Sequence, residues 1–433
     1  MTPTPPQQQH FKRAVGRLGE RLSVVARHAI FNANGVKIVD QGARIDLSTY
    51  ERLMQHRLAA PIEDSVSANQ CVTSGLLRQR VERLIAETPF FNRIAAERAT
   101  RSSLVAAVAG VPMPDPIGFQ LTVAHELYPS IYEHLVRTSL VCAWLTTHQT
   151  RSQFDVGQAA AAGLLHNLGM LHVDPALLQR ESVLDGDQRR QLYAHPLVST
   201  ALVERHAQYD SSVARAIAEH HECLDGSGYP RHLRGADISI LGQTLSLAQV
   251  VATLCATGQP AAEMQLSVLL RMSIHRYDDA LAKLVVSHLR PGLDNDNAGL
   301  LLLEGVIGFL HEIDALVCRW PLKIAADATV SGRRREELGS LHEQAAQLGR
   351  VMAAVGVLPA QLAGIDQSAL DMPAQAELSL VTREAAWQLR SLARLARRRW
   401  KLAPDETLPE ELRQWLDDAD AMFARVAQHE VTD

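Results

Sequence analysis

The sequence predicts a mainly α-helical protein with a small mixed α/β unit at its N-terminus. Two observations carry that expectation. Aromatic residues make up only 5% of the chain while Ala, Leu and Val abound, a composition that favours helix over strand. Long stretches also place apolar residues at steps of three and four, the spacing of one helix face. The apolar fraction of 47% is ample for a core, and 433 residues can hold two or three domains.

Residues 1–115 are expected to hold a tail, the mixed unit and helix. MTPTPPQQQHFKR is polar and rich in Pro and Gln, lacks the apolar stretch of a signal peptide, and reads as a fraying end. HAIFNANGVKIVDQGARID reads as two short strands around an Asn34-Gly35 turn. LSTYERLMQHRL follows as a helix capped by Asp46 or Ser48. Residues 75–110 keep a helical pattern that Pro89 interrupts, and the prolines of VPMPDPIG mark a boundary. Residues 116–292 read as nearly all helix: SIYEHLVRTSLVCAWLTTH, DVGQAAAAGLLHNLGM ending near Gly169, PLVSTALVERH, SSVARAIAEHH, and the strongly apolar ISILGQTLSLAQVVATLCA. Residues 293–433 read as four amphipathic helices of a bundle, with LPAQLAGIDQSALDMPAQ as a linker. The basic LARLARRRWK reads as a solvated helix end, because the chain as a whole is acidic.

A net charge of −5 offers no global field for a nucleic-acid polymer. No uncharged apolar run reaches 18 residues, so no membrane span is expected. Five cysteines without a CxxC pair read as reduced thiols of a cytoplasmic protein.

The chemistry concentrates in HHECLDGSGYP, residues 220–230. Adjacent histidines cannot both point the same way on a regular helix. If both serve one site the helix must end there, and Gly226, Gly228 and Pro230 say that it does. Both glycines are expected at positive φ. Glu222 is either an acceptor for an imidazole N–H or an exposed acid at the helix end. His134, His166 and His195 precede the pair on successive helices, and neutral imidazoles carried inward by several helices suit a first-row divalent metal. His148, His172, His206 and His232 read as surface residues.

The order His134, His166-Asn167, His195, His220-His221-Glu222, then Asp225-Gly226-Ser227-Gly228-Tyr229-Pro230, resembles the HD-GYP branch of the HD metal-dependent phosphohydrolases. The resemblance covers residues 125–290. It implies an all-helical domain holding two or three metal ions, often iron or manganese, whose bound hydroxide attacks cyclic di-GMP. It also implies a loop, Asp225, Gly226, Gly228, Tyr229 and Pro230, that contacts protein partners such as diguanylate cyclases. Two metals about 4 Å apart need a bridging carboxylate, whose charge offsets their repulsion.

The chain departs from the family where that chemistry is set. The bridging aspartate is Asn167, and the later metal-binding aspartate falls at Gln249. The phosphate-contacting lysine is Met170, the arginine of the family's RI pair is Gln243, and the glutamate some members place before the first histidine is Ser130. ATGQPAAEM lacks the family's basic residues. Of two metal positions, one would rely on His134 and His166 and has two ligands turned to amides. The other keeps His195, His220 and His221. The expectation is therefore a degenerate signalling domain with at most one divalent metal (iron, manganese or zinc) or none. It would act through protein contacts, or as a homodimer through the C-terminal bundle. The rival is an active phosphodiesterase with a single-metal site. A third reading, nucleotide binding without cleavage, suffers from the lost cations.

Overall fold

The computed structural model describes residues 5–178, 186–292, 305–321, 332–365, 369–400 and 409–430. Backbone contacts gather the chain into two units where the sequence suggested three parts. One takes the chain to Gly258 together with His275–His288, and the other takes Gln259–Ile274 and the chain from Leu289 onward.

The first unit opens with helix α1 (Pro5–Arg21) and four short strands, β1 (Val24–Ala26), β2 (Ile30–Phe31), β3 (Lys37–Val39) and β4 (Val66–Ala68). The expected hairpin is β2 against β3, with Gly35 at φ 77° in its turn. A second antiparallel pair, β1 with β4, joins residues 40 to 44 apart in sequence, Val24 facing Ala68 to Ala26 facing Val66, and no local pattern foretold it. Helix α2 (Leu47–Met54) starts on Asp46, whose side chain accepts from the Thr49 N–H at 2.8 Å. That hydrogen bond holds the Asp46 carboxyl down at about 2.

Helices α3 (Ser74–Glu87), α4 (Pro89–Ile94) and α5 (Arg98–Ala109) follow, Pro89 separating the first two as expected. Then come α6 (Asp115–Leu127), α7 (Pro129–Gln149), α8 (Gln153–Leu165), α9 (Pro175–Leu178), α10 (Gly186–Tyr193), α11 (His195–Val203), α12 (Ser211–Glu219) and α13 (Ile240–Leu254). Helix α8 stops at Leu165 rather than Gly169, because a 3-10 turn over Leu168–His172 takes over. Gly163 lets α7 and α8 meet closely: a Cβ there would sit 2.6 Å from Ser139 Cα, and Ser139 Oγ donates to Ala160 O across the contact at 2.7 Å.

Helix α14 (Pro260–Met272) belongs to the second unit, whereas the sequence placed it with the central helices. Its apolar face was legible, but not the partner of that face. Met264, Val268 and Met272 join a core with Trp320, Leu389 and Trp415. Helix α15 (Asp279–His288) returns to the first unit. The second unit continues with α16 (Val306–Cys318), α17 (Gly332–Val355), the short α18 (Pro359–Leu362), α19 (Met372–Trp400) and α20 (Glu410–Glu430). Trp415 packs edge-on to Trp320 and donates to Leu316 O at 2.8 Å. Of the basic stretch, Arg397 pairs with Asp420, and residues 401–408 lie outside the described part. No helix among the described residues is long and apolar enough to cross a membrane.

His172 is not a surface residue. It is 2% exposed, stacks on Phe11 of α1 at 4.5 Å, and neither ring nitrogen has a hydrogen-bond partner. Burial, with Arg205 nearby, pushes its pKa down to about 3. The unfolded chain therefore binds a proton below about pH 6.5 that the fold refuses until about pH 3. The stability this neutral ring allows is fully present above pH 6.5 and is lost as pH falls through that window. His172→Phe keeps the stack and removes the titration. Between pH 7 and pH 4 the wild type is expected to lose about 3 kcal/mol more than the variant, read from urea midpoints at each pH. Equal losses would contradict this account.

Candidate functional site

Three helix ends build the site. The last carbonyls of a helix lack intrahelical donors, and a histidine at the C-terminal end can supply one. His166 follows α8 and its Nδ1 lies 2.8 Å from Gly163 O. His220 follows α12 with Nδ1 2.6 Å from Ile217 O. His195 opens α11 with Nδ1 2.7 Å from Leu192 O. The residue that would normally serve the Leu192 carbonyl is Pro196, which has no N–H. Carbonyl oxygens only accept, so all three rings carry their proton on Nδ1 and present a bare Nε2 lone pair.

Those lone pairs converge. His195 Nε2 lies 3.2 Å from His220 Nε2, and His221 Nε2 lies 3.2 Å from His195 Nε2. Ligand atoms of His195, His220 and His221 all fall within 4.8 Å of one another, the one such group of three or more among the described residues. His134, on α7, sets its Nε2 3.3 Å from His166 Nε2. Burial holds His134 and His195 down at about 4. Burial, followed by the neighbouring imidazoles, pushes His166, His220 and His221 well below their ordinary range. A proton is therefore a poor way to relieve the facing lone pairs of His195 and His220. A metal ion is a better one.

The two amides stand beside these rings. Asn167 Oδ1 is buried and accepts nothing from the protein, so it does not hydrogen-bond the histidines. Gln249, on α13, donates its Nε2 to His220 O at 3.1 Å and to His221 Nδ1 at 3.2 Å. With Nδ1 accepting, the neutral His221 ring carries its proton on Nε2, pointed at the His195 lone pair.

Beside His134 and Asn167 opens a cleft of about 400 Å³. Leu127, Pro129, Ile131, Met170 and Pro175 give it apolar walls, and Tyr128 and Ser130 add hydroxyls. Among the described residues, no lysine or arginine lines it.

The loop after His221 is tied inward. Asp225 is 14% exposed at its side chain, accepts from the Ser227 N–H at 2.9 Å and faces His275 Nε2 at 3.4 Å. Tyr229 stacks on His221 at 4.6 Å between ring centres. Gly226 has φ 77° as expected, but Gly228 does not have positive φ. Gly228 is required by proximity instead, since a Cβ there would collide with Glu222 Cα, His221 O and Cys223 N. Glu222 fits neither expectation. It is 1% exposed and accepts from the backbone N–H of Arg231 at 2.6 Å and Leu233 at 3.0 Å, closing the loop behind Pro230. Glu219 was missed altogether. It is fully buried, accepts from Arg215 and Arg231, and holds Ser239 at the start of α13. An acid just before the His pair was its only trace in the sequence. Of the remaining histidines, His148 and His232 are exposed and His206 is half-buried.

A family model described as HD domain matches residues 122–281. Among curated relatives, the 3'3'-cGAMP-specific phosphodiesterase 3 of Vibrio cholerae is 24% identical over 47% of this chain and 45% of that one. The 3'3'-cGAMP-specific phosphodiesterase 2 of the same organism is 30% identical over 27% and 23% of the two chains. A cyclic di-GMP phosphodiesterase, also from Vibrio cholerae, is 29% identical over 28% and 26%. The chain thus spans less than half the length of each of these three relatives.

The two glycines of the loop separate by mechanism. Gly228→Ala meets backbone that cannot yield and is expected to lower stability by about 3 kcal/mol. Gly226→Ala meets the flexible Arg234 side chain and a positive φ, and is expected to cost about 1 kcal/mol. Urea midpoints of the two variants check the order, and a reversed order would sink the assignment.

Proposed function

Residues 122–281 make this chain a member of the HD-GYP family of HD domains, and from that premise we propose that it is a degenerate member. It holds at most one divalent metal, does not hydrolyse cyclic di-GMP, and acts in cyclic di-GMP-related regulation through protein contacts. One observation carries this reading: amides stand where the centre needs carboxylates. Asn167 Oδ1 has no partner, and Gln249 points a donor at His221. An amide brings no charge to offset two cations and only one good ligand oxygen.

The residues fit one metal rather than two. His195 and His220 turn lone pairs on each other at 3.2 Å, and His221 completes the group. When bound there, a metal would polarise a phosphoryl oxygen and acidify water. The chain's own residues offer that chemistry little help. His134 and His166 have no acid with them in a metal-holding group among the described residues. The cleft beside them presents Met170 and apolar walls to a substrate that carries two negative charges.

The inward ties of Asp225 and the stacking of Tyr229 support a role for the loop in holding the site rather than in docking. Protein contacts are then assigned to the C-terminal helical unit, which closes a core of its own and leaves its outer faces for a partner or a second copy. By family resemblance the partner class includes diguanylate cyclases. The facing lone pairs do favour a second reading, single-metal hydrolysis of cyclic di-GMP or of 3'3'-cGAMP, the substrates in the relatives' names.

Two measurements separate the readings. Metal analysis of protein purified without added metal is expected to find no more than one ion per chain. Incubation with either cyclic dinucleotide and Mn²⁺ or Fe²⁺ is expected to yield no linear product. Two ions per chain, or clear turnover, would overturn the proposal. Asn167→Asp combined with Gln249→Asp is expected to raise metal content. Unchanged content would mean that these positions do not border the metal.

A further inference from the structure

Three aromatic rings stand in a column against the metal-binding group. The Tyr229 ring lies over His221 with centroids 4.6 Å apart and planes 17° apart. The Tyr193 ring lies over Tyr229 at 4.2 Å and 13°. Tyr193 ends α10, two residues before His195, while Tyr229 lies in the loop that follows His220 and His221. The column therefore ties the segment carrying one imidazole to the loop leaving the other two.

His221 needs such a tie more than its neighbours do. His195 and His220 are each locked by an Nδ1–H bond to a carbonyl on their own turn. His221 has no such bond. Its Nδ1 accepts from Gln249, and its Nε2 lies toward His195. Both contacts act on the ring's edge, and only a stacked face resists tilting of the ring plane. The stack also has an electronic sense. An imidazole that gives its lone pair to a metal becomes electron-poor, and the face of a phenol is the negative pole of its quadrupole. Two phenols in series therefore favour the metal-bound ring over the free one.

We propose that Tyr193, acting through Tyr229, is a positioning residue for His221, and that this aromatic column raises the metal affinity of the site. The inference rests on the reading that His195, His220 and His221 hold one metal. The sequence pattern did not single out Tyr193, since its only signal is an aromatic two residues before a histidine.

Co²⁺ titration of the full-length protein tests it, followed by the visible absorption of the bound ion and by calorimetry. Tyr193→Phe keeps the ring and is expected to bind within twofold of wild type. Tyr193→Ala is expected to bind about tenfold more weakly, the usual effect of losing a group that orients a ligand, and to shift the Co²⁺ absorption bands. Thermal unfolding of the metal-free proteins shows whether Tyr193→Ala is folded. If it is not, Tyr193→Leu, which keeps bulk without a π face, takes its place with the same expected weakening. Unaltered affinity and spectrum in the Ala or Leu variant, while wild type binds Co²⁺, would overturn the positioning role alone. Failure of the wild type to bind Co²⁺ would overturn the one-metal reading and the column's role together.

Discussion

The site depends on a capping interaction. A helix that stops leaves carbonyls without donors, and in this chain a histidine supplies the donor at the ends of α8, α10 and α12. That local need fixes the tautomer of His166, His195 and His220 before any ligand is considered. Because each ring turns back onto the helix end it caps, Nε2 faces the space between the helices. Packing then decides which lone pairs meet. Gly163 brings α8 against α7, which sets His166 beside His134. The Gly169 N–H donates to Ser199 Oγ at 2.8 Å, which fastens α11 and its leading His195 to the turn after Asn167. The imidazole geometry is thus a consequence of how helices end and how closely they approach.

His221 stands outside that scheme, and the difference has chemical consequences. Its Nδ1 meets a side chain rather than a carbonyl, so Gln249 determines its tautomer. The same amide hydrogen-bonds His220 O, which keeps its NH₂ end toward the imidazole. For His221 to offer Nε2 to a metal, its proton must pass to Nδ1, and Gln249 must then turn its oxygen inward at the expense of the bond to His220 O. A carboxylate would accept that proton's hydrogen bond without turning. Gln249 therefore does more than remove a charge, because it biases a neighbouring imidazole toward the tautomer that cannot ligate.

Much of this was legible in the sequence. The order and spacing of His134, His166, His195, His220 and His221 marked the domain, and the loop glycines marked the end of α12. The helices appeared as periodic runs because each buries one face. What stayed hidden was what lies opposite a face. The pairing of β1 with β4 depends on residues 40 to 44 apart, and α14 shows an apolar stripe that does not reveal which core it enters. His172 looked like a surface histidine because a sequence does not show that Phe11 will cover it. Glu222 was open to a reading as an exposed acid at a helix end, and Glu219 drew no notice, because solvation is the usual fate of acids there. Both are buried because the returning loop brings backbone N–H donors to them, from Ser239 for the first and from Arg231 and Leu233 for the second. Gly228 was rightly singled out for the wrong physical reason: its neighbours, not its φ, exclude a side chain.

The two amides also change what the metal-free protein must endure. A carboxylate buried among imidazoles without a cation is an uncompensated charge, and leaving such a charge unpaired costs about 3–5 kcal/mol. A buried amide oxygen without a donor, as at Asn167, costs about 1–3 kcal/mol. Gln249 costs less still, because its donors are used. A centre with two aspartates folds well only with its ions in place, so metal and fold are strongly coupled. With Asn167 and Gln249 that coupling is relaxed, and the residual drive to take up a cation comes from one pair of lone pairs, those of His195 and His220. On the proposed reading, the amides that weaken the metal site also free the domain from needing it, and the scaffold persists as a folded surface whether or not an ion is bound.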